Sequence, residues 1–396
     1  MQDDQKPELK PEEPKTSGLP EDMVSQFEAP EPEDPEAKIE NPIQGPVVVG
    51  GKRSYKKPLL IALLIVLLAG VAFAAYQLGQ NKTTPEPAKS STTKKSVTTT
   101  PKTEGLVLDT KKNYGNKYAN GLLPVGDGNY DTTTAKKGYI YACQEYAQSF
   151  GQDKGGAGTR GPWFTNGNTQ YDVNKKAHVS GNVMWTAAFS NKLEGNTRTI
   201  VTNDLPTHAT GVYPVASSDP AYAYDRNPNT IKAQDLTFSL AASPTYSATP
   251  NCMRGDVGVM LTGVAIFNGF DAGGRDAGAW EVQDNCSGHP QNSGEYHYHT
   301  LSSCIKDIGV KTVIGYALDG FPITGPTVAP NSILTTTDLD ECHGITSDYT
   351  VDGKTITGYH YVMTQDFPYS ISCFRSKPID PPHQAGQQPQ AQQPRP

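Results

Sequence analysis

The sequence predicts a mainly β fold: a single sandwich-like or barrel-like domain with few short helices, joined to one transmembrane helix and disordered tails. Three observations predict it. Between Gly105 and Lys377 the apolar residues come in short bursts of period two, bounded by Gly, Asn, Asp and Pro, which is the pattern of half-buried strands. No segment there repeats its apolar residues at helical spacing over a comparable length, and Leu301 to Ile308 is at most a short helix. Upstream lies an unbroken apolar run, Pro58 to Tyr76, and all six cysteines come after it.

The 396 residues include 38 Gly and 32 Pro, so turns, loops and tails take a large share of the chain and long helices should be few. Residues 1–57 are Pro-, Glu- and Lys-rich and lack the apolar surface needed to offset the entropy of ordering, which makes them a disordered cytoplasmic tail. Residues 58–78 form the transmembrane helix, because ~19 apolar residues rising ~1.5 Å each span a hydrocarbon core of ~30 Å. Lys52, Arg53, Lys56 and Lys57 crowd its first flank while Gln77, Gln80, Asn81 and Lys82 open the other, so the N-terminus faces the cytoplasm. The alternative is a cleaved signal peptide, with Ala72-Phe73-Ala74 at the processing site; the length of the run and of its leader speaks against it, and either case exports the C-terminal part of the chain. Residues 79–104 are a Thr-, Lys- and Pro-rich stalk suited to crossing a cell wall, 105–379 are the ectodomain, and 380–396 are a second disordered tail. The net charge of −7 comes largely from the N-terminal tail, leaving no basic stripe for nucleic acid.

Strands are expected at Gly138–Cys143, His178–Trp185, Thr197–Thr202, Asp235–Leu240, Val257–Phe267 and Val310–Leu318. No internal repeat at a fixed period is visible. Cysteines confined to one side of the apolar run fit an oxidising compartment. Six permit fifteen pairings. The pairing expected here is Cys286 with Cys304, Cys342 with Cys373, and Cys143 with Cys252; the first would close a loop around Tyr296–His299 worth ~3 kcal/mol in the chain-entropy model. A thiolate zinc site is the alternative, less suited to the outside of the cell.

The densest run of reactive side chains is Asp284-Asn-Cys-Ser-Gly-His289-Pro-Gln-Asn-Ser-Gly-Glu-Tyr296-His-Tyr-His299. In an extended segment alternate side chains share a face, so His297 and His299 project together and Tyr296 and Tyr298 go to the other side. Two imidazoles so paired need one or two more groups to hold a transition metal; His208, His289, Asp319, Asp340, Glu341 and His343 are candidates. The bland reading is cross-strand packing, with the imidazoles satisfied by hydrogen bonds. Asp338-Leu-Asp-Glu-Cys342 and Asp271-Ala-Gly-Gly-Arg-Asp276 read as structural turns rather than calcium loops. No nucleophile elbow, Walker loop, dinucleotide fingerprint, His-Glu-x-x-His helix or Cys-x-x-Cys pair occurs, which excludes the standard nucleotide and dithiol chemistries.

In order and spacing, Asp284-x-Cys-x-Gly-His289, Tyr296-His-Tyr-His299, Cys304, Gly315-Tyr-Ala-Leu-Asp-Gly-Phe-Pro-Ile-Thr-Gly-Pro326, Asp338-Leu-Asp-Glu-Cys-His-Gly344, Tyr359-His-Tyr361 and Phe367-Pro-Tyr-Ser-Ile-Ser-Cys-Phe-Arg375 resemble the YHYH domain family. Asn203-Asp-Leu-Pro-Thr-His208 is similar to the family's Asn-Gly-Ile-Pro-x-His, and Gly258-Val-Met-Leu-Thr-Gly-Val264 to its Gly-Val-Ala-Leu-Asn-Gly-Val, with Thr262 in place of Asn. The resemblance runs from about Thr197 to Arg375 and names a motif rather than a reaction. With it, the expected metal ligands are His208, His297 and His299, then His289 and Asp319. Three imidazoles suit Cu or Zn better than calcium, which takes six to eight oxygens. The chain is therefore read as a membrane-tethered extracytoplasmic domain holding a transition metal. A non-enzymatic surface module for a glycan, cell-wall or protein partner is the first rival, and a metal-dependent envelope hydrolase with Asp319 or Glu341 as base is the second.

Overall fold

The structure, a computed structural model, describes residues 105–146 and 158–382. The chain divides into two units, Met1–Lys95 and Ser96–Pro396. The first unit lies outside the described residues, and with it the expected cytoplasmic tail and transmembrane run; the stalk and the segment 383–396 lie outside them too. Among the described residues no helix is long and apolar enough to cross a membrane.

The described part is mainly β. We label the strands of its two principal sheets β1 to β11. The smaller is antiparallel, in the order β1 (Phe189–Glu194), β2 (Thr197–Thr202) and β3 (Leu236–Ala241). Period two works here as expected: Leu236, Phe238 and Leu240 are buried while Thr237, Ser239 and Ala241 are exposed. The larger sheet contains β4 (Asp256–Met260), β5 (Ala265–Phe267), β6 (Gly288–Pro290), β7 (Tyr296–Tyr298), β8 (Val313–Ala317), β9 (Pro322–Thr324), β10 (Gly344–Val351) and β11 (Lys354–Val362). Its spatial order is β6-β7-β5-β4-β8-β9-β11-β10. The two edges do not meet, so the sheet is open rather than a barrel. Ile200, Phe238 and Leu240 of the smaller sheet share one apolar cluster with Val257, Val259, Ile266 and Ile323 of the larger, which is sandwich-like packing.

Several local expectations are corrected. Val257–Phe267 is two strands, because Leu261 to Val264 turn back with Gly263 at φ 90°, a conformation that favours glycine. The run reads as continuous because β4 and β5 are buried on both faces. His178–Trp185 makes only isolated bridges at Val179 and Val183, and Gly138–Cys143 shrinks to the strand Ile140–Tyr141. Leu301–Ile308 is not helical; the one α-helix among the described residues is α1, Ala277–Trp280. The disulfides pair as expected: Cys143 with Cys252, Cys286 with Cys304 and Cys342 with Cys373.

The larger sheet is built from two copies of one four-stranded unit, β4–β7 and β8–β11. They meet at the antiparallel β4–β8 pair, where Val259 lies opposite Tyr316, flanked by Gly258 opposite Ala317 and Met260 opposite Gly315. Outward from that pair the order repeats: β5 is antiparallel to β4 and parallel to β7, as β9 is antiparallel to β8 and parallel to β11. Each unit ends in an antiparallel pair, β6 with β7 and β10 with β11. The contacts repeat as well. Asp284 accepts from the backbone N–H groups of Cys286 and Gly288 and from Tyr296 Oη, and Asp340 accepts from those of Cys342 and Gly344 and from Tyr359 Oη. A Cβ on Gly288 would lie 2.2 Å from the Tyr296 ring and one on Gly344 2.1 Å from Tyr359 Oη, so both positions exclude any side chain. Thr262 and Asp319 occupy equivalent places, reaching Tyr298 Oη at 3.3 Å and Tyr361 Oη at 2.7 Å. The duplication has no fixed period, so it lies outside what the sequence expectation of no fixed-period repeat covers. A fixed-period reading misses the duplication because β10 and β11 are far longer than β6 and β7, which shifts the second copy out of register.

Candidate metal centre

His289 and His297 face each other across the β6–β7 pair, directly opposite in register. His299 lies just past β7 on the same side as His297, as strand alternation requires. Their ligand nitrogens all lie within 4.8 Å of one another. The three residues are 5%, 4% and 3% exposed. Glu281 brings a fourth donor. It is the residue after α1, whose N-cap Asp276 accepts from Ala279 N and whose Trp280 is fully buried. Glu281 Oε2 lies 3.3 Å from His299 Nε2 and 3.4 Å from His289 Nε2. Phe267, at the end of β5, stacks on His297 at 4.1 Å between ring centroids and shields one side of the group.

The tautomers are set by the acceptors. His299 Nδ1 lies 2.6 Å from Asn268 O and His297 Nδ1 3.4 Å from Glu295 O, and a carbonyl oxygen only accepts. Each neutral ring therefore carries its hydrogen on Nδ1 and presents a lone pair at Nε2. Those two Nε2 atoms are 3.1 Å apart. Either a cation bridges the two, or His297 donates from Nε2 to His299 Nε2 and gives up its long contact with Glu295 O. Glu281 Oε2 and both nitrogens of His289 are buried without a hydrogen-bond partner, a costly arrangement if nothing binds there. Donors at 3.1, 3.3 and 3.4 Å match the edge of a tetrahedron about 3.3–3.4 Å long that metal–nitrogen bonds of ~2.0–2.1 Å generate.

Burial sets the charge state. Desolvation holds His289 and His297 well below the usual imidazole range, with the neighbouring imidazoles adding to it, and pushes His299 down to about 4. All three are neutral at pH 7, the form that ligates a metal. Burial also raises Glu281 well above the usual carboxylate range, reinforced by Asp271 and Asp225, so the carboxylate is at ease only beside a positive charge.

The other expected ligands are elsewhere. His208 lies against the opposite face of β7: its Nδ1 donates to Ala209 O and its Nε2 accepts from Tyr298 Oη. The sulfur atoms near it are those of Cys286 and Cys304, joined to each other and not thiolates. Asp319 accepts from Tyr361 Oη and Ser376 N in the second unit. Asp340 and Glu341 pair with Arg375, and His343 Nε2 meets Thr364 Oγ1. The third imidazole is His289, and the residue missed by the sequence reading is Glu281. A single carboxylate in the otherwise buried, apolar stretch from α1 to Val282 was the signal that could have found it.

His360 shows what a strand histidine looks like when it merely packs. It is the counterpart of His297, fully buried on β11, and its nitrogens are satisfied by Thr324 Oγ1 at 3.0 Å and Ser347 Oγ at 2.8 Å. Burial pushes it down to about 4. In the unfolded chain it titrates near ~6.5, so as pH falls the unfolded state takes up the proton first, and stability present above ~6.5 is lost on the way to 4. Replacing His360 with Gln is therefore expected to flatten the loss of stability between those pH values by up to about 3 kcal/mol. Urea midpoints at pH 6.5 and 4.5 measure this; an unaltered difference would show that His360 is not held neutral.

The fold and site together define a β-rich, disulfide-linked domain with a buried cluster of three imidazoles and one carboxylate. Residues 237–333, which run from β3 through the His-Tyr-His segment to beyond β9, match the family model described as YHYH protein. The chain thus carries a YHYH domain, as its motifs indicate. No curated protein and no solved structure matches the chain.

Proposed function

We propose that the chain is a membrane-tethered, extracytoplasmic metal-binding protein whose YHYH domain holds one transition-metal ion through His289, His297 and His299, with Glu281 as the fourth donor. The observation that carries this reading is the His297 and His299 Nε2 atoms 3.1 Å apart beside Glu281 Oε2 and the His289 nitrogens, which are buried without a hydrogen-bond partner. Three nitrogens and one oxygen suit Cu or Zn and fall short of the oxygen shell calcium takes. Three disulfides within the domain support an oxidising compartment, and the basic flank of the apolar run 58–76 supports an N-terminus left in the cytoplasm. Asp319 and Glu341 lie in the second unit with other partners, so no hydrolytic step is assigned to either.

Elemental analysis of the purified protein tests the reading. The wild type is expected to bind one equivalent of Zn²⁺ or Cu²⁺. His289→Ala, His297→Ala and His299→Ala are each expected to weaken it by more than about 100-fold, the upper end for outer-shell partners alone. His208→Ala is expected to leave metal content unchanged. Equal metal content in all five proteins, or loss only in His208→Ala, would refute the assignment.

A further inference from the structure

We propose that Lys176 and Gln283 are joined by an isopeptide bond between Lys176 Nζ and Gln283 Cδ, which the chain forms by itself with loss of ammonia. The proposal does not depend on the metal centre. Lys176 lies between the strand Gln170–Asp172 and Val179, and Gln283 comes three residues after α1. The backbone pins these two segments side by side: Val179 N donates to Gln283 O at 3.0 Å, and Val179 bridges Asp284. Lys176 Nζ then stands 2.5 Å from Gln283 Oε1, tighter than the ~2.7–3.2 Å of an ordinary N–H···O hydrogen bond. The carbonyl carbon is one bond of ~1.23 Å further, so the amine is at most about 3.7 Å from it, close to a near-attack approach. Gln283 Nε2 donates to Ala277 O at 3.1 Å, and a carbonyl only accepts, so the amide turns its oxygen toward the lysine.

The surroundings favour the covalent link over a plain hydrogen bond. Lys176 is 8% and Gln283 3% exposed. Among the described residues Gln283 Oε1 is the one acceptor that Lys176 Nζ reaches. A buried ammonium so placed has three N–H donors, one neutral acceptor and no paired carboxylate, which is costly. Burial pushes its pKa down to about 8, against the opposing fields of Asp276, Glu281 and Asp225, so the neutral, nucleophilic amine is accessible. Val179, Trp280 and Val282 are fully buried in one apolar cluster, which keeps out the water that would hydrolyse the amide instead. In the step the Nζ lone pair forms the Nζ–Cδ bond and the Cδ–Nε2 bond breaks. The proton that Nζ loses leaves with Nε2 as ammonia, and no oxidant or reductant takes part. Asp225 Oδ2 accepts from Val282 N, next to Gln283, and burial raises that carboxyl to about 6, which suits it to passing the proton. The link spans 107 residues and, unlike the three disulfides, withstands reductant.

Intact mass spectrometry of the full chain, with its disulfides reduced, tests this. The wild type is expected to weigh about 17 Da less than its composition requires, and Lys176→Met and Gln283→Met to show no such deficit. Digestion of the wild type is expected to release one branched peptide joining the segments around Lys176 and Gln283, a reading that needs no variant to fold. A wild type at full mass, or one whose digest contains the two segments only as separate peptides, overturns the proposal. A deficit of about 17 Da that persists in Lys176→Met overturns it as well, because the ammonia then leaves from another site, such as the Asn-Gly pairs at Asn120 and Asn268.

Discussion

Replacing Asp284 with Ala is expected to destabilise the domain by about 3–5 kcal/mol and to empty the metal centre with it. Asp284 is 1% exposed and accepts from Cys286 N at 2.9 Å, Gly211 N at 3.0 Å and Tyr296 Oη at 2.8 Å. Hydrogen bonds to a charged acceptor contribute ~1.5–3 kcal/mol each, and alanine would take the acceptor from four buried donors, Gly288 N included. The same carboxylate shapes the turn Asp284–Gly288 that leads into β6, so losing it is expected to loosen His289 from its place opposite His297. Thermal melting and metal content of the variant measure the two effects. A loss below about 1 kcal/mol with metal retained would mean that the turn does not organise the centre.

The second large effect is expected at Arg375. Its guanidinium reaches Asp340 Oδ2 at 2.8 Å and Glu341 Oε1 at 2.7 Å, and the Arg375 and Asp340 side chains are 3% and 6% exposed. Removing one partner of a buried pair leaves the other charge uncompensated, so Arg375→Met is expected to cost about 3–5 kcal/mol. Asp340→Asn added to it should recover part of that loss, and a double-mutant cycle by denaturant unfolding isolates the coupling. Additive losses would show that Asp340 draws its stability from the Cys342 and Gly344 N–H groups and Tyr359 rather than from the arginine.

The parts of the fold legible in the sequence were those set by local geometry. Alternation along Thr197–Thr202 marks β2 residue for residue, and the same alternation puts His297 and His299 on one face. The disulfides also came out as expected, although spacing alone left fifteen pairings open. What failed depended on which strands become neighbours. His208 was preferred as third ligand, yet Tyr298 projects to the face opposite the histidines and holds it there. His289 stands in the cluster instead, because Gln291 to Gly294 is a turn and a hairpin through it sets His289 against His297. Asp319 drew attention as an acid in a dense motif; the duplication explains its place, since it is the partner of Tyr361 that Thr262 is of Tyr298. Asp204, where the family pattern has Gly, adopts φ 57°, so the departure from the pattern keeps the backbone shape that glycine favours.

Glu281 could not be reached by motif reading, because it comes from a separate element, α1, and its closeness to His289 and His299 arises only when that helix packs under Trp163 and Tyr369. Buried ionisable groups with perturbed titration cluster at functional sites, and here they coincide with the atoms that lack partners. The rest of the domain satisfies its buried histidines with hydroxyls and carbonyls, as at His343 and His360.

The central claim is that a metal ion lies among His289, His297, His299 and Glu281. Anomalous scattering from crystals of the protein, recorded on both sides of the zinc and copper absorption edges, tests it most directly. The expected result is one peak about 2.0–2.2 Å from the Nε2 atoms of His297 and His299 and within bonding distance of His289 and Glu281. No peak there in crystals grown with either metal, or rings turned so that those two Nε2 atoms no longer face each other, would contradict it.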